Sequence, residues 1–318
     1  YVYQSTFKYV KSHQWQGDLK KYQLIKGVPK DEPVWDAAKK LNETSAVNRN
    51  IWTIASDFNV PTSINNFNSS NADKLKYLLW ENAPVEPTTD DATKLINFVR
   101  GSDSYNEVSA ADEKKNNLLG GERWKLGDIF HSELKVIGIP SAKSSNSNVN
   151  SEAFYRHNNA YNGRFLYGNS CGGYCAQRKK MVYVGSNDGL LHAFDASNGN
   201  ELWAFLPPMM MTKMRTAISS KSSQSVSIYG VDGSPIVKDI YYQYKWRTVL
   251  ISGLGLGGNG YFALDVTDPN NPSFLFAFSN DLVNSIVSYW DSTGHKTDRG
   301  YAGEEDFDYA YSKLGMAT

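Results

Sequence analysis

Cysteine is scarce: the 318 residues carry only Cys171 and Cys175, in "GNSCGGYCAQ". A structural zinc site needs a second Cys/His pair, and His157 is the closest candidate for one. The glycines between the two cysteines can bring the sulfurs together, and in an exported protein the pair reads as a disulfide pinning a loop. Net charge is missing too, because 33 Lys and Arg offset 33 Asp and Glu. Phosphate binding needs a basic excess or stripe, so nucleic acid is not an expected partner. No apolar run approaches the ~20 residues of a membrane helix, so no transmembrane segment is expected. No signal-peptide pattern is visible and the first residue is Tyr1, which reads as a processed product or a stretch of something longer.

Aromatic residues and glycine are abundant. The 20 Tyr, 14 Phe, 8 Trp and 25 Gly, set among Ser/Asn-rich loops, suit strands separated by turns. A chain of this length can hold two domains or one large all-β domain. One stretch, "TVLISGLGLGGNGYFALD", spells G-x-G-x-x-G at Gly253, Gly255 and Gly258. A dinucleotide cradle needs a strand before the glycines and a helix after them, so that N–H groups face the pyrophosphate. Here Asn259-Gly260 is a hairpin signal and Tyr261-Phe262 favours a strand. The stretch is therefore expected to be a turn, with Gly253, Gly255, Gly257, Gly258 and Gly260 present for positive φ rather than phosphate access.

The first 126 residues are mixed. "TFKYV" and "DLKKYQL" read as strands around a turn at Gln16-Gly17-Asp18. Helices are expected over Val34–Leu41, over Asn71–Asn82, and in "TTDDATKLINFVRG", which opens on capping residues and closes at Gly101. From Gly127 the texture changes to strands and turns. After the polar insertion "SAKSSNSNVNSEA", Met181–Pro207 holds the strands "MVYVG", "LLHAFD" and "ELWAFL". The turns between them are Asn187-Asp188-Gly189 and Ser197-Asn198-Gly199. The glycine-rich stretch repeats this plan with "TVLISG", "YFALD" and "FLFAF". Ala263-Leu264-Asp265 stands 70 residues after Ala193-Phe194-Asp195. A further strand precedes each meander, in "GDIFHSELKVIG" and "GVDGSPIVKDIYY".

Each unit is thus four antiparallel strands, the blade of a β-propeller, which buries both faces only by stacking between neighbours. The fold class expected is all-β dominated: a partial propeller of four-stranded blades with a helix-containing lead-in. The lead-in spans residues 1–126 and includes a candidate closing hairpin. Blades are expected at 127–207 and 229–279, with a third begun near 306. Propellers typically have 4–8 blades, so the rest is expected downstream of Thr318. Two blades alone would expose apolar faces and be poorly soluble.

"AFDASNGNELW" resembles the blade motif of quinoprotein-type propellers: Ala-x-Asp, then Thr-Gly, then Trp four residues after the Gly. Asn198 replaces the Thr. Ala193, Asp195, Gly199 and Trp203 are structural on this motif, with Asp195 holding the turn and Trp203 packed flat between adjacent blades. Ala263 and Asp265 repeat its start, but Val-Thr-Asp-Pro follows, with neither Gly nor Trp in register. More extensively, "LGDIFHS", "VYVGSNDGLLHAFDASNGNELWAFLP", "VDGSPIVKDI" and "WRTVLISGLGLGGNGYFALDVTDP" together resemble the C-terminal propeller of the PilY/PilC family of type IV pilus-tip adhesins. "GDLKKYQL" with "WDAAKKL" is similar to that family's lead-in.

The resemblance implies a bacterial surface protein at the pilus tip, exported through the periplasm and associated with the outer membrane. Its implied partners are minor pilins and a receptor on a host cell or abiotic surface, and its implied roles are pilus assembly, adhesion and twitching motility. The family also implies calcium, held by alternating Asp/Asn oxygens. No D-x-[DN]-x-[DN]-G loop is present, and the nearest candidate is Glu304, Glu305, Asp306 and Asp308 in "GEEDFD". Calcium is therefore expected downstream of Thr318, with no cofactor in this stretch. "RGSD" at Arg100–Asp103 is not an RGD tripeptide.

The enzymatic alternative on this architecture is a quinoprotein dehydrogenase. It would need a calcium-bound quinone, an Asp base and usually adjacent cysteines, whereas Gly172-Gly173-Tyr174 separate these two. No His-Glu-x-x-His is present. Asp188 and His192 fit a turn and a strand, and His192 alternates with Leu191 and Ala193 as a packed or edge residue. A non-enzymatic protein is expected, adhesive or a scaffold for pilus assembly alone. Recognition is expected on the polar insertions Ala142–Ala153 and Thr216–Ser227, loops on a rigid scaffold.

Overall fold

A computed structural model describes residues 1–11, 13–81, 83–138, 178–222, 224–242, 245–281, 286–291 and 294–299. In the lead-in, β1 (Val2–Lys8) and β2 (Gln16–Tyr22) pair antiparallel. A small hairpin of β3 (Leu24–Ile25) and β4 (Val28–Pro29) follows, and β5 (Trp35–Asp36) then adds to β2. The turn expected at Gln16-Gly17-Asp18 is instead strand. A Cβ on Gly17 would lie 1.9 Å from the Gly127 carbonyl oxygen, so this glycine serves a close backbone approach and not a bend.

Helix α1 (Ala37–Glu43) starts three residues later than expected, where the Asp36 carboxylate accepts Lys39 N at 3.0 Å. A two-residue strand, β6 (Ile51–Trp52), comes next. Beyond it lie α2 (Ala72–Leu79), α3 (Thr89–Arg100) and α4 (Ala110–Lys115), the last not anticipated. In α3, Thr88 and Asp91 form a reciprocal capping box and Gly101 ends the helix in the left-handed region. Leu75, Leu79, Leu95, Ile96 and Val99 are buried.

The first blade contains β7 (Lys135–Ile137), β8 (Met181–Gly185), β9 (Leu191–Asp195) and β10 (Glu201–Phe205), all antiparallel. β6 extends it to five strands by lying parallel to β10, with Ala204 opposite Ile51 and Phe205 opposite Trp52. The second sheet runs antiparallel in chain order: β11 (Ile236–Tyr242), β12 (Lys245–Gly253), β13 (Gly260–Asp265), β14 (Ser273–Asp281), β15 (Ile286–Asp291) and β16 (Gly294–Arg299). The four-stranded expectation thus describes the heart of each sheet but not its outer edge. The third blade expected near 306 falls outside the described residues.

The strands β7 and β11 begin later than their sequence stretches suggest, at Lys135 and Ile236. The preceding residues are held by turns instead. Asn187 N donates to Asp128 O at 2.9 Å, and Asp232 N to Leu254 O at 3.1 Å.

Register aligns the two sheets residue by residue. Tyr183 faces Ala193, which faces Trp203; Ile251 faces Ala263, which faces Phe276. The strand face carrying Tyr183 and Trp203 packs with Leu250, Phe262 and Leu264 of the second sheet and with Trp52, Phe67, Leu75 and Ile96 of the lead-in. The other face, with Val182, Val184 and Phe194, packs on Leu19, Trp35 and Leu41. The β1–β2–β5 sheet and α1 therefore cover the first blade on the side that corresponds to the one the first blade covers on the second. Ile251 and Phe276 are 40% and 39% exposed, and Ile236, opposite Ile251, is 58% exposed.

Candidate functional site

Four ionisable groups, from the turn after β8, from β9, from β10 and from the lead-in, meet in one dry site. Asp188 accepts Leu190 N at 3.1 Å and Gly127 N at 3.0 Å, which fixes its carboxylate beneath β9. His192 is fully buried, its Nε2 3.0 Å from Asp188 Oδ2 and its Nδ1 2.7 Å from Glu201 Oε1. Arg49 of the lead-in closes the row with a fork onto Glu201, Nε to Oε2 and Nη2 to Oε1, both at 2.9 Å. Burial alone would neutralise these groups. For Glu201, however, the Arg49 charge and hydrogen bonds from His192 and Arg49 prevail and hold the carboxyl down to about 2. Burial also opposes the imidazolium, yet Asp188 and Glu201 push His192 up to about 9. Burial raises and the His192 charge lowers Asp188, with a net lowering. Both ring nitrogens face carboxylates, so the ring donates twice and has no lone pair left for base chemistry.

The same turn ties the blades together. Gly230 N donates to Asn187 Oδ1 at 2.9 Å, Asn187 Nδ2 to Asp128 Oδ2 at 2.6 Å, and Val231 N to Ser186 O at 3.0 Å. Gly189 follows at φ +94°. On the outside, Asp195 accepts Ser197 N at 2.8 Å while Gly199 N donates to Asp195 O at 2.8 Å; Asp265 accepts Thr267 N at 3.0 Å in the matching place. Ala193 and Ala263 are buried at matching positions. Trp203 is buried in the core shared with the second sheet. It meets Trp52 edge-on at 71° and donates Nε1–H to Pro269 O at 2.8 Å.

The glycine-rich stretch is followed by β13, not by a helix, which leaves no helix N-terminus to face a pyrophosphate. Positive φ explains only part of it. Gly255 sits at φ +56° and Gly258 at +156°, but Gly253 and Gly260 are strand residues, and a Cβ on Gly257 would lie 1.6 Å from Gly230 O. Close packing of the blade's turn on its own entry segment is the second requirement.

Other sequence candidates fall differently. Cys171, Cys175, Glu304, Glu305, Asp306, Asp308 and the insertion Ala142–Ala153 lie outside the described residues. So does Gly168-Asn169-Ser170-Cys171-Gly172, which spells the G-x-S-x-G of a nucleophile elbow, a motif that needs a strand-to-helix turn. Among the described residues no group of three or more His, Cys, Asp or Glu has the arrangement of a metal site. The insertion Thr216–Ser227 is anchored: Ser225 accepts Gln14 N at 3.0 Å and donates to Glu107 Oε2 at 2.7 Å. Sequence reasoning missed Arg49, whose partner lies 152 residues away. The only local signal is a charged residue beside the short apolar pair Ile51-Trp52.

Residues 165–301, which include β8 to β16, match the PilY1 beta-propeller domain. Over 296 residues, 90% of the chain, it is 31% identical to the type IV pilus biogenesis factor PilY1 of Pseudomonas aeruginosa strain UCBPP-PA14. The chain belongs to the PilY1 family. A PilY1 homolog of Xylella fastidiosa strain Temecula1 is 32% identical over 62% of the chain. The chain spans less than a quarter of these relatives, 23% and 16% of their lengths. A crystal structure of the Pseudomonas aeruginosa PilY1 C-terminal domain is 31% identical over 41% of this chain and 32% of its own, with a TM-score of 0.25. No described helix is long and apolar enough to cross a membrane.

Proposed function

We propose that this chain supplies the lead-in and first blades of a propeller in a non-enzymatic type IV pilus protein. In that protein it supports pilus assembly, surface adhesion and twitching at the pilus tip, outside the cell. The observation that carries the reading is its 31% identity to a type IV pilus biogenesis factor across 90% of the chain. Minor pilins and a receptor on a cell or abiotic surface are its partners in this reading. Residues 1–126 act as the lead-in, and Ile236, Ile251 and Phe276 seat a further blade. The buried Asp188–His192–Glu201–Arg49 row supports a structural rather than catalytic role, since its imidazole has no free lone pair and no access to solvent.

In-frame deletion of residues 127–299 in the source bacterium tests the reading, with surface pili, twitching zones and attachment measured separately. Normal pili and normal twitching would sink it. Attachment lost at unchanged pilus number favours the adhesive role; attachment that merely tracks pilus number favours a scaffold. Dye reduction on adding pyrroloquinoline quinone and calcium would restore the dehydrogenase reading.

A further inference from the structure

Aromatic side chains collect at the loop end of the β1–β2 hairpin. Phe7 stacks on Trp15 with centroids 5.4 Å apart and planes 9° from parallel. Tyr9 meets Trp15 edge-on at 5.5 Å, and Phe7 meets Phe130 edge-on at 5.6 Å. These rings do not form a core: Tyr9 is 63% and Phe130 49% exposed. Contiguous exposed aromatics of this kind mark binding surfaces.

Trp15 also walls a cavity of about 140 Å³, shared with His13, Glu107, Asp112, Asn116 and Trp124. Its floor is fixed from three directions. Ser225 donates to Glu107. Arg123 donates to Gln14 Oε1 at 2.8 Å and sits 3.9 Å over the Phe98 ring. Trp124 donates Nε1–H to Gly17 O at 2.9 Å. His13 Nδ1 is buried with no hydrogen-bond partner, 3.7 Å from Glu107 Oε1.

We propose that this cavity and its aromatic rim bind a neutral glycan, the edge of one sugar ring in the cavity and the next ring across Tyr9, Phe7 and Phe130. Size admits one edge of a pyranose, because a cavity of about 150 Å³ holds benzene, about half the bulk of a hexose. Charge selects a neutral one: among the lining residues Lys8 and Arg123 offset Glu107 and Asp112, leaving nothing to attract a sulfate, sialate or phosphate. Chemistry selects a polyhydroxyl ring. Carboxylates accept hydroxyl protons, the Asn116 amide both donates and accepts, and Trp15 and Trp124 in the lining offer apolar surface to a ring's C–H groups. An apolar peptide would cover the solvent-facing polar groups of Asp112 and Asn116 without replacing their hydrogen bonds to water, at a cost in affinity.

Direct titration of the whole chain tests this, using tryptophan fluorescence with cellotetraose, chitotetraose and maltotetraose, and heparin and sialyllactose as charged controls. At least one neutral tetrasaccharide is expected to shift the emission saturably. Tyr9→Ala and Asn116→Ala, neither of which touches the core, are expected to weaken it about five- to tenfold with unchanged circular dichroism. Trp15→Phe is expected to weaken it while leaving the fold intact. No saturable binding by any neutral sugar overturns the proposal, as does binding of the charged sugars alone or binding indifferent to Tyr9→Ala and Asn116→Ala. The inference stands apart from the pilus reading: its failure leaves pilus number and twitching as they were.

Discussion

In the first blade the row Tyr183, Ala193, Trp203 is buried; at matching register in the second sheet, Ile251 and Phe276 face solvent. The backbone repeat is the same and even the irregularity before the last inner strand recurs. What differs is the neighbour. Trp203 has Pro269 O to receive its N–H and Trp52 to pack on, whereas Phe276 has no polar handle and no described element over it. Likewise Glu201 corresponds in register to Phe274, because only the first blade lies beside Arg49. Register is set by the repeat, while residue identity is set by whatever covers each face.

Glu201→Ala should break the comparison most strongly. It leaves Arg49 and His192 as buried charges without their carboxylate, a loss of about 3–5 kcal/mol in urea unfolding. Phe274→Ala, at the matching half-buried site, should cost about half as much, and equal losses would show that the charged row does not distinguish the blades. Next comes Trp203→Phe, which strands Pro269 O for about 1–3 kcal/mol. Phe276→Ala should stay within about 1 kcal/mol, and a larger loss would mean that its face is covered.

The pH dependence is subtler. His192 is held at about 9 against an ordinary 6.5, so its contribution is complete below about 6.5 and lost as pH rises through 9. Glu201, at about 2 against 4.5, contributes fully above about 4.5 and loses that as pH falls through 2. The row therefore works best between about pH 4.5 and 6.5, and His192→Gln should flatten the decline in urea midpoint between pH 6.5 and 9. The smallest effect on stability, within about 0.5 kcal/mol, is expected for Ile236→Lys with Ile251→Lys. Light scattering should nevertheless show less self-association, because the pair charges the uncovered face.

Local pattern made the repeat legible: Ala-x-Asp twice, turn glycines and alternating strands placed β8 to β10 and β12 to β14, and capping residues placed α3. It failed where meaning came from a distant partner. Gly17 reads as a turn because its contact, Gly127, is more than a hundred residues away. β6 is too short to show a period, and Arg49 pairs only once the blade exists. The cavity wall is equally nonlocal, since Trp15, Glu107 and Ser225 share no sequence signal. Of the expected binding insertions, Thr216–Ser227 does reach a cavity, but through one buried serine rather than an exposed polar tip.

β6 carries a consequence in time. Ile51 pairs with Ala204, so the first blade's edge closes across 153 residues, while every described pairing in the second sheet joins strands adjacent in sequence. Such long-range closure is slow to find, and neighbouring hairpins are fast. The later-synthesised sheet can therefore zip sooner, and the older segment waits for its partner before the first blade is finished.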